Sequence, residues 1–227
     1  NTESWMARGM YNYDNRYFAY ASVMGQGSSA FHPDHRWGMF WSASAGWMLS
    51  KEKWFKADWV DELKLKASYG ENGNDLGMRY SYYYTNRYSI VNSDNNIALT
   101  PSTTKGNEEL TWEKNSKFNV GVDFSLFKGR LTGTMEYYNN RTEDMLATIP
   151  YPPTLGYTSA LANVGNMSNQ GFEMELRGDI IRTSDFNWNI YANISTNSNK
   201  ITKLHEERKK QEYDGYWGYS SGSYYYT

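Results

Sequence analysis

Few residues in this sequence have the types and spacing that chemistry at a site requires. Glu173 and Glu175 are separated by one residue, so on a strand their carboxylates would point the same way, about 6–7 Å apart, as in a glycosidase pair. His32 and His35 flank a Pro-Asp dipeptide, and two imidazoles beside a carboxylate could hold zinc. The proline and the lack of a further ligand nearby favour a surface loop. The sequence also lacks a nucleophile elbow, a P-loop and a dinucleotide fingerprint. We therefore predict no catalytic residue, no metal site and no cofactor.

A further group of candidates is aromatic. From about residue 197 the chain is polar and rich in tyrosine and tryptophan. Aromatic side chains grouped in one exposed loop favour interaction over core filling, and their rings can stack on sugars or contact another protein. Tyr216, Trp217 and Tyr219 are therefore the predicted ligand-binding residues.

The elements that must position such residues are strands. Residues 117–138 contain two alternating segments separated by Lys128-Gly129, a dipeptide suited to a hairpin turn because glycine supplies a positive φ. A period of two places an apolar row and a polar row on opposite faces. Each segment has about the 9–11 residues that a tilted strand needs to cross a bilayer, whereas most soluble strands have about 5–6. Residues 172–180 and 186–194 alternate in the same way.

These two rows predict two environments. We expect the apolar row to face lipid and the polar row to face a water-filled lumen. The alternative is a soluble sheet with one solvated face and one face on a dry core. The predicted lipid-facing residues are Phe118, Val120, Val122, Phe124, Trp188 and Ile190. The predicted lumen-facing residues are Asp123, Glu136, Glu173, Glu175 and Arg177.

Composition narrows the class of protein. Mean hydropathy is -0.80 although 17% of the 227 residues are aromatic, which suits a wall of alternating polar and apolar residues better than a packed core. No apolar run approaches the ~20 residues of a spanning helix. The chain has no cysteine, which excludes disulfides and thiolate sites. Its net charge is -2, which does not attract a polyanion, so we expect no nucleic-acid partner.

The connections between the predicted strands alternate between short and long. Long polar segments are predicted near residues 25–38, 72–115, 147–169 and 199–227. Roughly eight strands joined in this way form an up-and-down antiparallel meander with tight turns at one end and large loops at the other. Outer-membrane barrels have this asymmetry. The sequence therefore predicts an all-β fold, an up-and-down antiparallel transmembrane β-barrel arrangement of about eight strands.

Several separated phrases resemble the SusC/RagA family of TonB-dependent outer-membrane transporters. The longest are GNEELTWEKNSKFNVGVDFSLFKGRLTGTMEYYNNRTEDML and LGYTSALANVGNMSNQGFEMEL, and an earlier one is YNYDNRYFAYASV. The resemblance covers nearly the whole chain. It implies that the eight strands are a β-barrel segment, open in isolation, of a barrel of about 22 strands. The resemblance also implies that this barrel is plugged by an N-terminal domain, driven by the TonB complex and capped by a SusD-like surface lipoprotein.

The resemblance further implies an active outer-membrane importer of oligosaccharides or, less favoured, of peptides, and not an enzyme. The implied partners are outer-membrane lipid, the SusD-like lipoprotein, the TonB complex through an N-terminal region, and the substrate. Residues 1–227 contain neither a plug domain nor a secretory signal, so we expect an internal piece of the barrel. A complete small barrel and a secreted glycan-binding β-sandwich are the alternatives.

Overall fold

A computed structural model describes residues 2–75, 82–93 and 96–204, and most of these residues lie in strands. The strands are β1 (Thr2–Tyr13), β2 (Tyr17–Ser28), β3 (Trp37–Met48), β4 (Val60–Asn74), β5 (Tyr88–Ser93), β6 (Asn96–Pro101), β7 (Thr104–Lys105), β8 (Glu113–Leu126), β9 (Leu131–Glu143), β10 (Leu146–Pro150), β11 (Ser159–Asn163), β12 (Gly165–Arg182) and β13 (Asn187–Leu204). The longer strands form one eight-stranded antiparallel sheet in the order β1-β2-β3-β4-β8-β9-β12-β13. The predicted all-β meander of about eight strands is confirmed.

The remaining strands belong to two of the long loops. β5 and β6 form a separate hairpin, and β10, β11 and β7 form a small mixed sheet in which β11 and β7 run parallel. Three short 3-10 turns, Pro33–His35, Leu49–Lys51 and Pro153–Leu155, are the other regular elements among the residues that the structure describes. Among the described residues, no helix has the length and apolar character needed to cross a membrane.

The register of the main sheet places like residues side by side. Val122 of β8 pairs with Leu65 of β4 and with Met135 of β9, which makes an apolar row across three strands. The next residue, Asp123, pairs with Lys64 and Thr134, which makes a polar row on the opposite face. Because side chains alternate along a strand, one register fixes the facing of every residue in the ladder.

One end of the sheet carries the short connections, and we call it the short-turn end. The β1–β2 turn contains Asp14 and Asn15 at positive φ, which these short polar residues tolerate better than most. The turn between β8 and β9 spans residues 127–130, not the predicted dipeptide alone. Phe127 also has a positive φ, and its ring stacks on Trp59 with ring centroids 5.7 Å apart.

The opposite, long-loop end contains more strand than the alternation predicts. β2 continues to Ser28, β12 begins at Gly165 and β13 continues to Leu204. These extensions lie partly inside the segments predicted as loops near 25–38, 147–169 and 199–227. Backbone pairing continues there without a clean polar and apolar alternation, so the strands extend past the sequence signal that identifies them.

Most of the buried side chains lie at the long-loop end. Strand β3 and three loops contribute them, and we call the group the loop-end cluster. It consists of Ala30, Phe31, Phe40, Leu110, Trp112, Leu146 and Leu161. Gly73 leaves room for it, because a Cβ at that position would lie 2.8 Å from the Trp112 ring. The three loops are thereby packed into one body over the end of the sheet.

Candidate functional site

The centre of the polar face is an ion-pair group built from three neighbouring strands. Lys66 Nζ of β4 lies 2.9 Å from Asp123 Oδ1 of β8 and 3.3 Å from Glu136 Oε2 of β9. The Thr134 hydroxyl donates a 2.9 Å hydrogen bond to the same Asp123 oxygen. The three charged side chains are about one-third exposed, so water reaches them. Gly121 leaves the space that Lys66 crosses, since a Cβ there would lie 2.9 Å from Lys66 Cε.

The other predicted lumen-facing residues lie on this same face. Glu173 of β12 pairs with Glu136, and Glu175 pairs with Thr134. Both carboxylates are exposed, as is Arg177, whose guanidinium lies 5.3 Å from the centre of the Tyr191 ring. Two like charges directly opposite on neighbouring strands repel each other, and their exposure to water screens that repulsion.

The predicted lipid-facing residues share the opposite face. Phe118, Val120, Trp188 and Ile190 are 40%, 43%, 49% and 43% exposed. Val122 and Phe124 are half-buried by their neighbours within the sheet. None of the six belongs to either buried cluster. A soluble sandwich would require a dry core between two stacked sheets, and these six residues do not form one.

A hollow of about 560 Å³ lies on the polar face between β1 and β9. Its lining includes the small residues Ser44, Gly46 and Ser68 and the aromatic residues Phe18 and Tyr20. The Lys64 ammonium also lines the hollow and lies 5.1 Å from the centre of the Phe18 ring. Such a surface can accept a polar chain, since rings, hydroxyls and a cation are all presented to it.

A second polar group lies at the short-turn end. The Glu52 carboxylate accepts hydrogen bonds from the Tyr17 hydroxyl at 2.5 Å and the Trp47 indole at 3.0 Å, and Arg16 lies 3.4 Å away. These contacts hold the pKa of Glu52 below its ordinary value, with the Tyr17 hydrogen bond as the largest cause. Glu52 therefore joins the β1–β2 turn to the end of β3.

At the long-loop end, Asn163 joins two loops. Its Oδ1 accepts a hydrogen bond from Thr111 N at 3.0 Å, and its Nδ2 donates to Thr111 O at 3.0 Å and to Asp144 O at 2.8 Å. Sequence reasoning missed Asn163 and Glu52. Alternation along β4 places Lys66 in the polar row, but its two ion-pair partners depend on the register of three strands.

The histidine candidates do not form a metal site in this structure. His32 Nδ1 accepts a weak 3.4 Å hydrogen bond from Asp34 N, and its ring packs edge-on against Tyr84. No group of three potential ligands occurs among residues 2–75, 82–93 and 96–204. The predicted ligand-binding residues Tyr216, Trp217 and Tyr219 lie outside the described residues.

Comparison with known proteins gives a consistent result. The chain is 35% identical over 206 residues to the TonB-dependent receptor P39 of Formosa agariphila, a match covering 90% of the chain and 20% of the receptor. It is 32% identical over 208 residues to the TonB-dependent receptor SusC of Bacteroides thetaiotaomicron, covering 88% and 21%. The chain thus spans about a fifth of the length of these relatives.

Solved structures that resemble this chain come from the same kinds of protein as its sequence relatives. The RagAB peptide importer in its closed-closed state superimposes with a TM-score of 0.82 at 32% identity, over 90% of this chain and 22% of that one. The siderophore receptor PirA from Pseudomonas aeruginosa shares the fold at 12% identity, with a TM-score of 0.55. These relatives are named as receptors and importers, not as enzymes. The family model described as TonB dependent receptor-like, beta-barrel matches residues 2–225, and the chain belongs to that family.

Proposed function

We propose that the chain forms part of the wall of a TonB-dependent active importer in the outer membrane, with its apolar face to lipid and its polar face to the lumen. The supporting observation is a reversed burial pattern. In β3, Trp41, Ala43 and Ala45 are exposed, whereas Ser42 and Ser44 between them are half-buried. A water-soluble sheet buries its apolar face. The reverse is expected where lipid covers the outside.

The spacing of tryptophans supports the same orientation. Trp37 and Trp47 lie on the apolar face at opposite ends of β3. Ten residues span about 33 Å along a strand, and a tilt of about 40° reduces this to a height of about 25 Å. That height equals the apolar band of outer-membrane barrels, which aromatic girdles border on both sides.

The proposed cargo is an oligosaccharide, delivered with a SusD-like surface lipoprotein as partner. Relatedness to SusC and the SusC/RagA resemblance support this choice. A peptide is the second candidate, because the RagAB structures at 32% identity are of a peptide importer. The polar face offers aromatic rings, hydroxyls and charges, which can contact either cargo.

Neighbouring residues of β12 test the orientation in the full-length receptor. Met174 pairs with Met135 on the apolar face, and Glu175 pairs with Thr134 on the polar face. Met174→Arg places a charge toward the proposed lipid and should lower assembly into the outer membrane, at a cost of about 2–4 kcal/mol near the midplane. Glu175→Arg should assemble normally. Membrane fractionation with heat-modifiable gel mobility measures both variants, and equal assembly would contradict the assigned facing.

Energy-dependent uptake distinguishes an active importer from a passive channel. Cells that express the receptor should accumulate a labelled cargo only while the inner membrane is energised, and an uncoupler should abolish accumulation. Growth on an oligosaccharide or on a peptide mixture as the sole nutrient distinguishes the two cargo classes. Accumulation that continues after uncoupling would contradict active import.

A further inference from the structure

The connection between β3 and β4 has a surface that its sequence does not suggest. Residues 51–56 are Lys-Glu-Lys-Trp-Phe-Lys, in which a glutamate sits between two of three lysines. All three lysines are exposed. Glu52 is only 9% exposed, because its carboxylate turns toward Tyr17 and Trp47. The glutamate is thus withdrawn and the surface of this segment is cationic.

The lysines are also free of ion pairs within the described part of the chain. No carboxylate there lies within 4.0 Å of an ammonium of Lys51, Lys53 or Lys56. The nearby acidic residues in sequence are Asp58 and Glu62, which are exposed, and Asp61, whose carboxylate accepts a 2.9 Å hydrogen bond from Gly129 N. Three cations therefore face solvent, and neither Asp58 nor Glu62 pairs with them.

Trp54 sits among these lysines and continues the aromatic row of the apolar face. Its ring packs edge-on against Trp47 with centroids 6.4 Å apart, and Trp47 stacks on Tyr17 at the same centroid distance. Trp54 is nevertheless 63% exposed, and Trp59 at the end of the connection is 54% exposed. Large exposed indole rings beside lysines are typical of the boundary between hydrocarbon and headgroups.

We propose that the connection formed by residues 49–59 binds the headgroups of anionic phospholipid at the short-turn end of the wall. This inference rests on the lipid-facing orientation proposed above. Trp54 and Trp59 lie at the headgroup level, and the ammonium groups of Lys51, Lys53 and Lys56 bind lipid phosphates. Charge complementarity identifies the occupant, since a neutral headgroup gains little from three unpaired cations. Continuity with the apolar face places the lipid beside the wall.

Native mass spectrometry of the full-length receptor tests the proposal, with equimolar phosphatidylglycerol and phosphatidylcholine added in detergent. The wild type should retain phosphatidylglycerol preferentially. In the triple variant Lys51→Gln, Lys53→Gln, Lys56→Gln, the ratio of retained phosphatidylglycerol to phosphatidylcholine should fall about fivefold for each lysine that contacts phosphate. The matched control is Lys105→Gln, Lys114→Gln, Lys117→Gln, which removes three exposed cations away from the short-turn end and should keep the preference.

Two results would overturn the proposal. One is equal retention of the two lipids by the wild type, and the other is an equal loss of preference in both triple variants. Raising the salt concentration should weaken the wild-type preference, because exposed charges are screened. A receptor that assembles in the membrane but shows no lipid preference contradicts this inference alone. A receptor that does not assemble contradicts the membrane orientation itself.

Discussion

The eight-stranded sheet, which is the proposed wall, and the loop-end cluster use the same residue types in opposite ways. Trp41 in the wall is 47% exposed, whereas Trp112 in the cluster is 3% exposed. Phe118 is 40% exposed in the wall, and Phe31 is fully buried. The proposed orientation accounts for the difference. Apolar side chains in the loops cover one another where water surrounds them, whereas lipid would cover those on the apolar face of the sheet.

Polar groups differ between the two regions as well. In the wall the backbone is satisfied by the strand ladder, and polar side chains form a few contacts such as the Lys66 ion pairs. In the loops the ladders are short, as between β10 and β11, and side chains add further bonds to the backbone. Asn163 bonds the backbone of two loops, and the Trp112 indole donates a 3.0 Å hydrogen bond to Arg36 O. Irregular backbone that is buried needs such partners.

Removing the largest buried ring should give the greatest loss of stability. Trp112→Ala deletes an indole that packs against Phe31 and Phe40, with ring centroids 5.2 and 5.8 Å away. The expected cost is about 3–5 kcal/mol, because a cavity remains where the ring was. Limited proteolysis of the full-length receptor should show faster cleavage in the long loops, with the wall intact.

The matched control lies in the wall. Phe118→Ala removes a ring from the apolar face. In the proposed orientation lipid chains fill the vacated space, so no cavity should remain and the loops should keep their protection. Equal proteolysis of the two variants would contradict the division of the molecule into a lipid-covered wall and a self-packed cluster.

The sequence predicts the wall better than the cluster for a physical reason. The rows containing Phe118 and Asp123 repeat with a period of two, and that local pattern follows directly from strand geometry. The cluster has no such period. Phe31, Leu110 and Leu146 come from separate loops, and only the folded chain brings them together. The available sequence signal for the cluster is the presence of apolar residues inside otherwise polar loops.

The same distinction applies to the polar residues. The facing of Glu173 and Glu175 follows from alternation, and the structure places both on the polar face. The burial of Glu52 does not follow from any local rule, since it depends on Tyr17, 35 positions earlier in the chain. Contacts between distant residues require the register of the sheet.

Loss of a loop-joining amide should have an intermediate effect. Asn163→Ala leaves Thr111 N, Thr111 O and Asp144 O without their partner. Because Thr111 is half-buried and Asp144 is exposed, water replaces part of what is lost, and the expected cost is about 0.5–1.5 kcal/mol. Hydrogen exchange should become faster in the two loops that Asn163 joins. Asn193→Ala in the wall removes an exposed amide and should leave the exchange unchanged. Similar exchange in both variants would show that the loops do not depend on this side chain.

The smallest effect is expected from removing one charge at the short-turn end. Glu52→Gln keeps an oxygen that can accept from the Tyr17 hydroxyl and removes the attraction to Arg16. Because the pKa of Glu52 is lowered in the folded protein, its carboxylate stabilises the fold fully above the unfolded-state pKa, about 4.3. That contribution is lost as the pH falls through the lower, folded-state pKa.

The thermal midpoint of the full-length receptor, followed by tryptophan fluorescence from pH 7 to pH 3, measures this contribution. As the pH falls, the thermal midpoint of the wild type should decrease more than that of Glu52→Gln, so the two curves should converge in acid. The exposed Glu62 provides the control, and Glu62→Gln should follow the wild-type curve. Parallel curves for wild type and Glu52→Gln would mean that the buried carboxylate does not stabilise this end through its charge. The short-turn end would then depend on the packing of Tyr17, Trp47 and Trp54 and not on the charge of Glu52.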